Sequence, residues 1–196
     1  MNQKIIGITG GIGSGKSLIC RIFSTMNIPI YEADSRAKYL INQDLRLKNS
    51  IKNLLGNNAY TPTNEYNRAW VASKIFNNPD LLKQLNLLVH PCVHKDSHEW
   101  VKKYPKSPFL FYEAALMKAA GDNNRFDKVI VVSAPIELRI KRIKIRDKRS
   151  EQEIKAIIAQ QITDEERLKI ADYIIENDDK NPVLSQVLEL YEELKP

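Results

Sequence analysis

A glycine-rich segment near the start of the chain restricts the fold more than any other feature of the sequence. Residues 10–17 read Gly-Gly-Ile-Gly-Ser-Gly-Lys-Ser and match the pattern G-x-x-x-x-G-K-[ST]. The isoleucine-rich run at 4–9 predicts a short buried strand before it, and residues from Gly15 to about Met26 predict a helix after it. A loop in this setting binds phosphate, because its backbone N–H groups and the helix N-terminus face the anion.

The last two residues of the motif carry the chemistry of a nucleotide site. Lys16 is expected to reach the β- and γ-phosphates, and the Ser17 hydroxyl is expected to bind Mg²⁺. The spacing differs from the G-x-G-x-x-G pattern of dinucleotide-binding folds, because Lys16 stands where the last glycine of that pattern would lie. The motif alone leaves kinases, GTPases and other ATPases open.

Chain length, cysteine count and net charge indicate the size, location and binding partner of the protein that carries this phosphate-binding motif. The 196 residues suffice for one core with small inserted regions, and no apolar run has the length of a membrane span or a signal peptide. Two cysteines are too few for a disulfide framework, so we expect a cytoplasmic protein. The net charge of +6 indicates an anionic partner, which a nucleotide, a phosphorylated metabolite or a nucleic acid would satisfy.

Strand-like and helix-like segments alternate along the chain, which favours an α/β fold with a parallel sheet covered on both faces. Further strands are predicted at 28–31, 109–112, Lys128–Ser133 and 172–175. Helical spacing of apolar residues predicts an inserted helical region, which we expect to break at His90-Pro91 because proline disfavours helix in the residue before it. Residues 114–120 predict another helix.

Two acidic residues follow predicted strands and are candidates for phosphoryl transfer. Asp34 lies after the strand at 28–31, where parallel strand ends meet, so its carboxylate is placed to orient an acceptor hydroxyl and take its proton. The alternative is a cap for the helix at 35–41. Glu113 ends the apolar run at 109–112, which is the form of a strand whose carboxylate orients Mg²⁺; the alternative is a surface acid.

A basic helix is predicted from about 136 to 149, with seven Lys and Arg residues among the last eleven positions. Its arginines recur at spacings of three and four and are expected to share one face: Arg139, Arg142, Arg146 and Arg149. Guanidinium groups suit the charge that spreads over a moving phosphoryl group, so the helix predicts a lid that excludes water. The alternatives are a solvated basic face or a surface that binds the nucleic-acid backbone. The lack of interleaved aromatic residues disfavours nucleic-acid binding.

Shorter patterns complete the survey. Ser150 with Glu153, and Thr163 with Glu166, match the capping box and predict two more helix starts. His94 and His98 have metal-ligand spacing, but Lys95 stands where a zinc protease needs Glu, and neither a Cys pair nor a third acid completes the set. We therefore expect these two histidines on a solvated helix face.

The order of these features resembles the dephospho-CoA kinase family over nearly the whole chain. The resemblance rests on the phosphate loop, Glu32-Ala33-Asp34, the His90-Pro91-X-Val93 turn, Ala-Asp-Tyr-Ile-Ile-Glu-Asn at 171–177, and, in order between them, Arg68, Phe76, Glu113, Arg142, Arg146 and Gln161. The chain departs from the family pattern at Glu32, where the family has Asp, at Leu18, and at Ala114-Ala115. Lys16, Ser17 and Asp34 are all kept.

The resemblance implies that ATP, with Mg²⁺, phosphorylates the ribose 3′-hydroxyl of dephospho-CoA, the final step of coenzyme A biosynthesis. It implies that Asp34 is the base and that Lys16, Arg142 and Arg146 neutralise the moving charge. The nucleotide would be bound by Gly11, Ile12, Gly13, Ser14, Gly15, Lys16, Ser17, Leu18 and Asn177. The substrate would be bound by Asp34, Arg68, His90, Glu113 and Gln161, and Mg²⁺ by Ser17 and Glu113.

Together these features predict a three-layer P-loop kinase fold with an ATP-binding core at about 1–33, 106–137 and 170–196. Residues 34–105 would form a helical substrate region, and residues 138–169 the lid. We expect a monomer or weak homo-oligomer that acts on a small molecule and binds neither nucleic acid nor membrane. The alternatives are another P-loop kinase for a small molecule or nucleoside, and a nucleic-acid-binding ATPase.

Overall fold

The computed structural model describes residues 3–117, 119–121 and 125–195. The chain divides into two compact units, one formed by Met1–Tyr31 with Tyr104–Pro196, the other by Glu32–Lys103. Within the described ranges, no helix combines the length and the apolar character that a membrane span requires.

A parallel sheet forms the centre of the first unit. Its strands are β1 (Lys4–Gly10), β2 (Ile30–Glu32), β3 (Phe109–Glu113), β4 (Lys128–Ser133) and β5 (Tyr173–Glu176). They lie in the order β2-β3-β1-β4-β5, and the pairings of β1 with β3, β1 with β4 and β4 with β5 are parallel. The predicted α/β fold with a parallel sheet is therefore confirmed.

Helices follow β1, β4 and β5 in the first unit, and the second unit is built of helices. The helices of the described residues are α1 (Lys16–Thr25), α2 (Ala33–Gln43), α3 (Leu45–Leu55), α4 (Arg68–Ile75), α5 (Pro79–Val101), α6 (Ile136–Asp147), α7 (Glu151–Ala159), α8 (Asp164–Leu168) and α9 (Val183–Leu194). Both predicted capping boxes are present, at the starts of α7 and α8. Helix α6 ends at Asp147, so the expectation that Arg149 shares its face is wrong; Lys148 adopts a left-handed conformation (φ 53°) and ends the helix.

The core of the first unit lies between the sheet and helices α1 and α9. Ile6 and Ile8 of β1, Phe23 of α1 and Val187 of α9 are fully buried in one apolar cluster. The Phe23 ring meets the Phe111 ring of β3 edge to face, with centroids 4.5 Å apart. This packing holds the start of α1 against the carboxyl end of β1, where the glycine-rich loop connects them.

The second unit is helical, and α5 is its longest element. The expected break at His90-Pro91 is wrong, because α5 runs through Pro91 without interruption. Its buried positions Leu85, Val89 and Val93 are spaced by four and continue across the proline, and α5 packs against α2 and α3. The burial of this apolar face outweighs the one backbone hydrogen bond that a proline removes.

The predicted helix at 114–120 is also wrong over its described residues, which are not helical. The Ala114 amide donates to the carbonyl of Ile8 at 3.1 Å, and the Thr9 hydroxyl donates to the carbonyl of Ala115 at 3.1 Å. These hydrogen bonds hold the backbone of Ala114 and Ala115 at the carboxyl end of β1, where the glycine-rich loop begins.

Candidate active site

The glycine-rich loop opens into a cavity of about 330 Å³ in the first unit. The loop, Ala115 after β3, two arginines of α6 and Gln161 after α7 line this cavity. Its lining includes three cations, Lys16, Arg142 and Arg146, and no carboxylate among the described lining residues. A concave site with this charge pattern suits a polyanion such as a nucleotide triphosphate.

The conformation of the loop depends on two glycines in left-handed conformations. Gly13 has φ 79° and Gly15 has φ 95°, values that residues with a Cβ rarely adopt. Behind Gly15 lies the buried side chain of Asn177, whose Nδ2 donates to the Ser14 carbonyl at 2.8 Å. Asn177, a predicted nucleotide-binding residue, therefore contacts the loop from behind and fixes its backbone.

Replacing Gly15 by alanine is expected to weaken ATP binding about tenfold or more, because the new Cβ overlaps Asn177 Nδ2 and the backbone is strained. Gly56→Ala is the matched control, since Gly56 has φ 96° with open space around it and lies after α3 in the other unit. Isothermal titration calorimetry measures the ATP affinity of both variants, and thermal melting measures their stability. Equal ATP affinity in the two variants would contradict it.

Lys16 and Glu113 form an ion pair beside the loop. The Nζ of Lys16 contacts Oε1 of Glu113, and the two side chains are 14% and 11% exposed. The parallel register places Glu113 at the end of β3, opposite Ile8 of β1. The acid that the sequence predicts as a magnesium residue is thus buried next to the lysine that the sequence predicts as a phosphate ligand.

The oxygen donors at this point fit Mg²⁺. Ser17 follows Lys16 at the start of α1 with its hydroxyl, and Glu113 supplies a carboxylate. Among the described residues there is no group of three His, Cys, Asp or Glu side chains that could hold a metal by itself. Mg²⁺ is commonly held by one or two protein oxygens together with substrate phosphates and water, which agrees with this sparse set.

The two predicted lid arginines make different contacts. Nη2 of Arg142 donates to Asn177 Oδ1 at 3.1 Å and to Asp179 Oδ1 at 2.7 Å, while its buried Nη1 has no hydrogen-bond partner in the described part of the chain. Arg146 is paired with the carboxylate of Asp147, and this hydrogen bond lowers the pKa of Asp147. Arg142, a residue of the cavity lining, thus has one guanidinium nitrogen that no acceptor in the described residues uses.

The sequence patterns did not predict that two side chains bind the backbone of Ile12. Its N–H donates to Oε1 of Gln161 at 2.9 Å, and its carbonyl accepts from Nε of Arg139 at 2.9 Å. Gln161, a predicted substrate residue, therefore binds the loop backbone in this structure. Arg139 is 2% exposed, whereas its spacing grouped it with the lid arginines. The sequence signal for Arg139 is only its position, about one helical turn before Arg142.

Three predicted substrate residues belong to the helical unit, on three different helices. Asp34 is exposed in the first turn of α2, Arg68 is exposed at the start of α4, and His90 is exposed on α5. The alternative that Asp34 caps its helix is wrong, because the N-cap is Glu32, whose Oε2 accepts from the Ser35 hydroxyl at 3.0 Å.

Three further residues are on the surface. Leu18 of α1, a predicted nucleotide residue, has a side chain that is 46% exposed. His94 and His98 are both exposed on α5, and their Nε2 atoms lie 3.3 Å apart.

Comparison with known proteins identifies one family. The family model for dephospho-CoA kinase matches residues 4–182. A dephospho-CoA kinase from Coxiella burnetii is 36% identical, over 93% of this chain and 92% of that protein. One from Porphyromonas gingivalis is 35% identical, over 97% of this chain and 94% of that protein.

Solved structures agree with the fold. The Thermus thermophilus protein TT1252 matches with a TM-score of 0.87 and 28% identity over 100% of both chains. A dephospho-CoA kinase from Campylobacter jejuni matches with a TM-score of 0.62 and 28% identity over 98% of both chains. A shikimate kinase from Bacteroides thetaiotaomicron, at 14% identity and a TM-score of 0.51 over 97% of this chain and 98% of that one, shares the fold.

Proposed function

This chain belongs to the dephospho-CoA kinase family, and on that premise we propose that it transfers the γ-phosphoryl group of ATP to the ribose 3′-hydroxyl of dephospho-CoA. The products are ADP and coenzyme A, so the reaction completes coenzyme A biosynthesis. One structural observation carries the proposal: the cavity at the glycine-rich loop is lined by Lys16, Arg142 and Arg146, with no carboxylate among its described lining residues.

The nucleotide phosphates lie on the loop in this proposal. Backbone N–H groups of the loop and the N-terminal end of α1 bind the phosphate oxygens. Lys16 Nζ, which pairs with Glu113, gains a second anionic partner in the γ-phosphate. Arg142 contributes its guanidinium group from the cavity lining, and Arg146 exchanges its exposed contact with Asp147 for phosphate.

The acceptor side of the reaction rests on Asp34. Its exposed carboxylate follows β2 by two residues and accepts the proton of the 3′-hydroxyl. As that O–H bond breaks, the hydroxyl oxygen bonds to the γ-phosphorus, and the bond from this phosphorus to the oxygen of ADP breaks. Arg68 and His90 are the proposed contacts to the rest of the substrate, where a guanidinium suits a phosphate group.

Mg²⁺ is the proposed cofactor. Ser17 would hold it through its hydroxyl, and Glu113 would orient it through water. When bound, it neutralises part of the negative charge on the β- and γ-phosphates.

The roles of the larger segments are also proposals. We assign residues 34–105 to the substrate and residues 138–169 to a lid that closes on ATP, because α6 supplies both arginines of the cavity. Cys20 and Cys92 do not form a disulfide, which supports a cytoplasmic location. We expect sedimentation to show a monomer or a weak homo-oligomer. We also expect that the protein binds neither nucleic acid nor a membrane.

Release of ADP from Mg²⁺-ATP, with and without dephospho-CoA, tests the function. We expect strong stimulation by dephospho-CoA. Coenzyme A itself is the matched control, because its 3′-position already carries the phosphate and cannot accept another. If a nucleoside or another small alcohol stimulated ADP release instead, the assignment of dephospho-CoA as the acceptor would be wrong. Stimulation by DNA or RNA that falls steeply with salt would favour the nucleic-acid-binding ATPase.

A further inference from the structure

Side chains from two places after β4 bind the N–H and the carbonyl of Ile12, which belong to neighbouring peptide units. Arg139 of α6 donates to the carbonyl at 2.9 Å, and Gln161, after α7, accepts from the N–H at 2.9 Å. Ile12 precedes Gly13, the first of the two left-handed glycines in the loop. The Ile12 carbonyl shares its planar peptide unit with the Gly13 N–H, so the orientation of that unit decides where this N–H group of the phosphate loop points.

Arg139 is itself fixed by Asp164, the first residue of α8. Nη1 of Arg139 donates to both carboxylate oxygens of Asp164, at 2.9 and 2.7 Å. The same carboxylate accepts from Nη1 of Arg167 at 2.8 Å. Both guanidinium side chains are 2% exposed, whereas Asp164 is 51% exposed, so one carboxylate anchors two buried cations.

The loop packs closely against this arginine. A Cβ at Gly11 would overlap the guanidinium group of Arg139, and a Cβ at Gly13 would meet its carbonyl at 2.8 Å. The loop backbone and Arg139 are therefore in close contact at both glycines. The backbone of Asp164 is separately held by the Thr163–Glu166 capping box, so the anchor does not depend on Arg139 for its place.

We propose that Asp164 is a positioning residue for nucleotide binding, which acts through Arg139 to keep the Ile12 carbonyl turned away from the phosphates. We call Arg139, Asp164 and Gln161 the Ile12 clamp. The proposal rests on the proposed function to the extent that the loop binds nucleotide phosphate. A carbonyl that turned toward the cavity would present its negative end to a phosphate, where the loop needs an N–H donor.

The charge of Asp164 is the part of the clamp that matters most. Without it, the guanidinium groups of Arg139 and Arg167 repel each other at a buried position, and Arg139 loses the partner that sets its direction. Burial lowers the pKa of Arg167, because desolvation disfavours its charged form. Arg139 would then turn toward solvent and release the Ile12 carbonyl.

The test compares nucleotide affinity with stability in the full-length chain. For Asp164→Asn, we expect Mg²⁺-ADP affinity and the KM for ATP to worsen about tenfold, with the KM for dephospho-CoA unchanged. Ile51→Ala is the destabilised control, because Ile51 is fully buried in α3 of the other unit and belongs neither to the clamp nor to the cavity lining. Its melting temperature should fall, while its Mg²⁺-ADP affinity, measured below both melting temperatures, stays at the native value.

A second variant keeps the test decisive if Asp164→Asn does not fold. Arg139→Lys keeps a cation for Asp164 but has no Nε to donate to Ile12, so we expect a similar loss of Mg²⁺-ADP affinity with less loss of stability. Adding Asp164→Asn to Arg139→Lys should weaken binding no further, because both act on one carbonyl. Native Mg²⁺-ADP affinity in Arg139→Lys overturns the clamp. Because ADP binding needs no acceptor, this result is independent of whether dephospho-CoA is the substrate.

Discussion

Replacing Lys16 by methionine is expected to lower kcat by roughly 100- to 1,000-fold, because the phosphoryl group loses a preorganised cation where its charge develops. Methionine has a similar length and an unbranched chain, so the loop glycines should keep their conformation. The substitution also leaves the buried carboxylate of Glu113 without Lys16 as its partner. Breaking a buried pair destabilises a protein by about 3 kcal/mol, so the melting temperature should fall as well.

A double variant separates the two effects of this substitution. Lys16→Met with Glu113→Gln removes the uncompensated carboxylate, so thermal stability should return toward that of the native chain, while kcat stays well below that of Glu113→Gln alone. Single-turnover measurements of ADP formation at saturating ATP and dephospho-CoA report the chemical step. Activity that recovers together with stability would mean that Lys16 has only a structural role, and the phosphate assignment would be wrong.

Much of the sheet could be predicted because its signals are local. The apolar run Lys128–Ser133 is a strand with the predicted bounds, and the two capping boxes begin helices where Ser150 and Thr163 place them. In each case a short stretch of sequence contains both the residues that form the element and the ones that end it. The glycine-rich loop is predictable for the same reason, since its strand, loop and helix are contiguous.

The errors lie where distant contacts outweigh local preference. Pro91 predicts a helix end, but the buried face of α5 continues past it. Residues 114–117 have a helix-like composition, yet their backbone bonds to Ile8 and Thr9, more than 100 positions earlier in the chain. A pattern within one segment contains no information about which strand end will lie beside it, so these errors could be corrected only by the tertiary structure.

The candidate site likewise has residues that the sequence predicts and residues that only the tertiary structure identifies. Lys16 and Ser17 follow from the motif, and Glu113 from the end of a strand. The roles of Asn177 and Arg139 in holding the loop depend on contacts at Ser14 and Ile12, which no spacing rule connects. Four arginines at helical spacing look alike in the sequence, yet one is 2% exposed behind the loop and another forms a pair in which its side chain is 62% exposed. Burial separates a residue that holds the loop from one that is available to phosphate.

Asp34→Asn is expected to lower kcat for dephospho-CoA by roughly 100- to 10,000-fold, because an amide cannot take the proton of the 3′-hydroxyl. Asp34 is exposed in the first turn of α2, where its charge adds only about 0.3–1 kcal/mol to helix stability. The melting temperature should therefore change little. The affinity for Mg²⁺-ADP should stay at the native value, since the proposed nucleotide contacts all lie in the other unit.

Asp80→Asn is the control for this variant. Asp80 is likewise exposed, and it is likewise the second residue of its helix, in the first turn of α5, so it carries the same helix-terminal charge without a proposed role in the reaction. Equal melting shifts in the two variants, with kcat lost only in Asp34→Asn, would assign the loss to proton transfer. If Asp34→Asn kept more than about a tenth of native kcat, general-base catalysis by Asp34 would be excluded. The proton would then have to leave the 3′-hydroxyl by way of a phosphate oxygen or water, and the loop, Lys16 and the arginines would supply the catalysis by charge stabilisation alone.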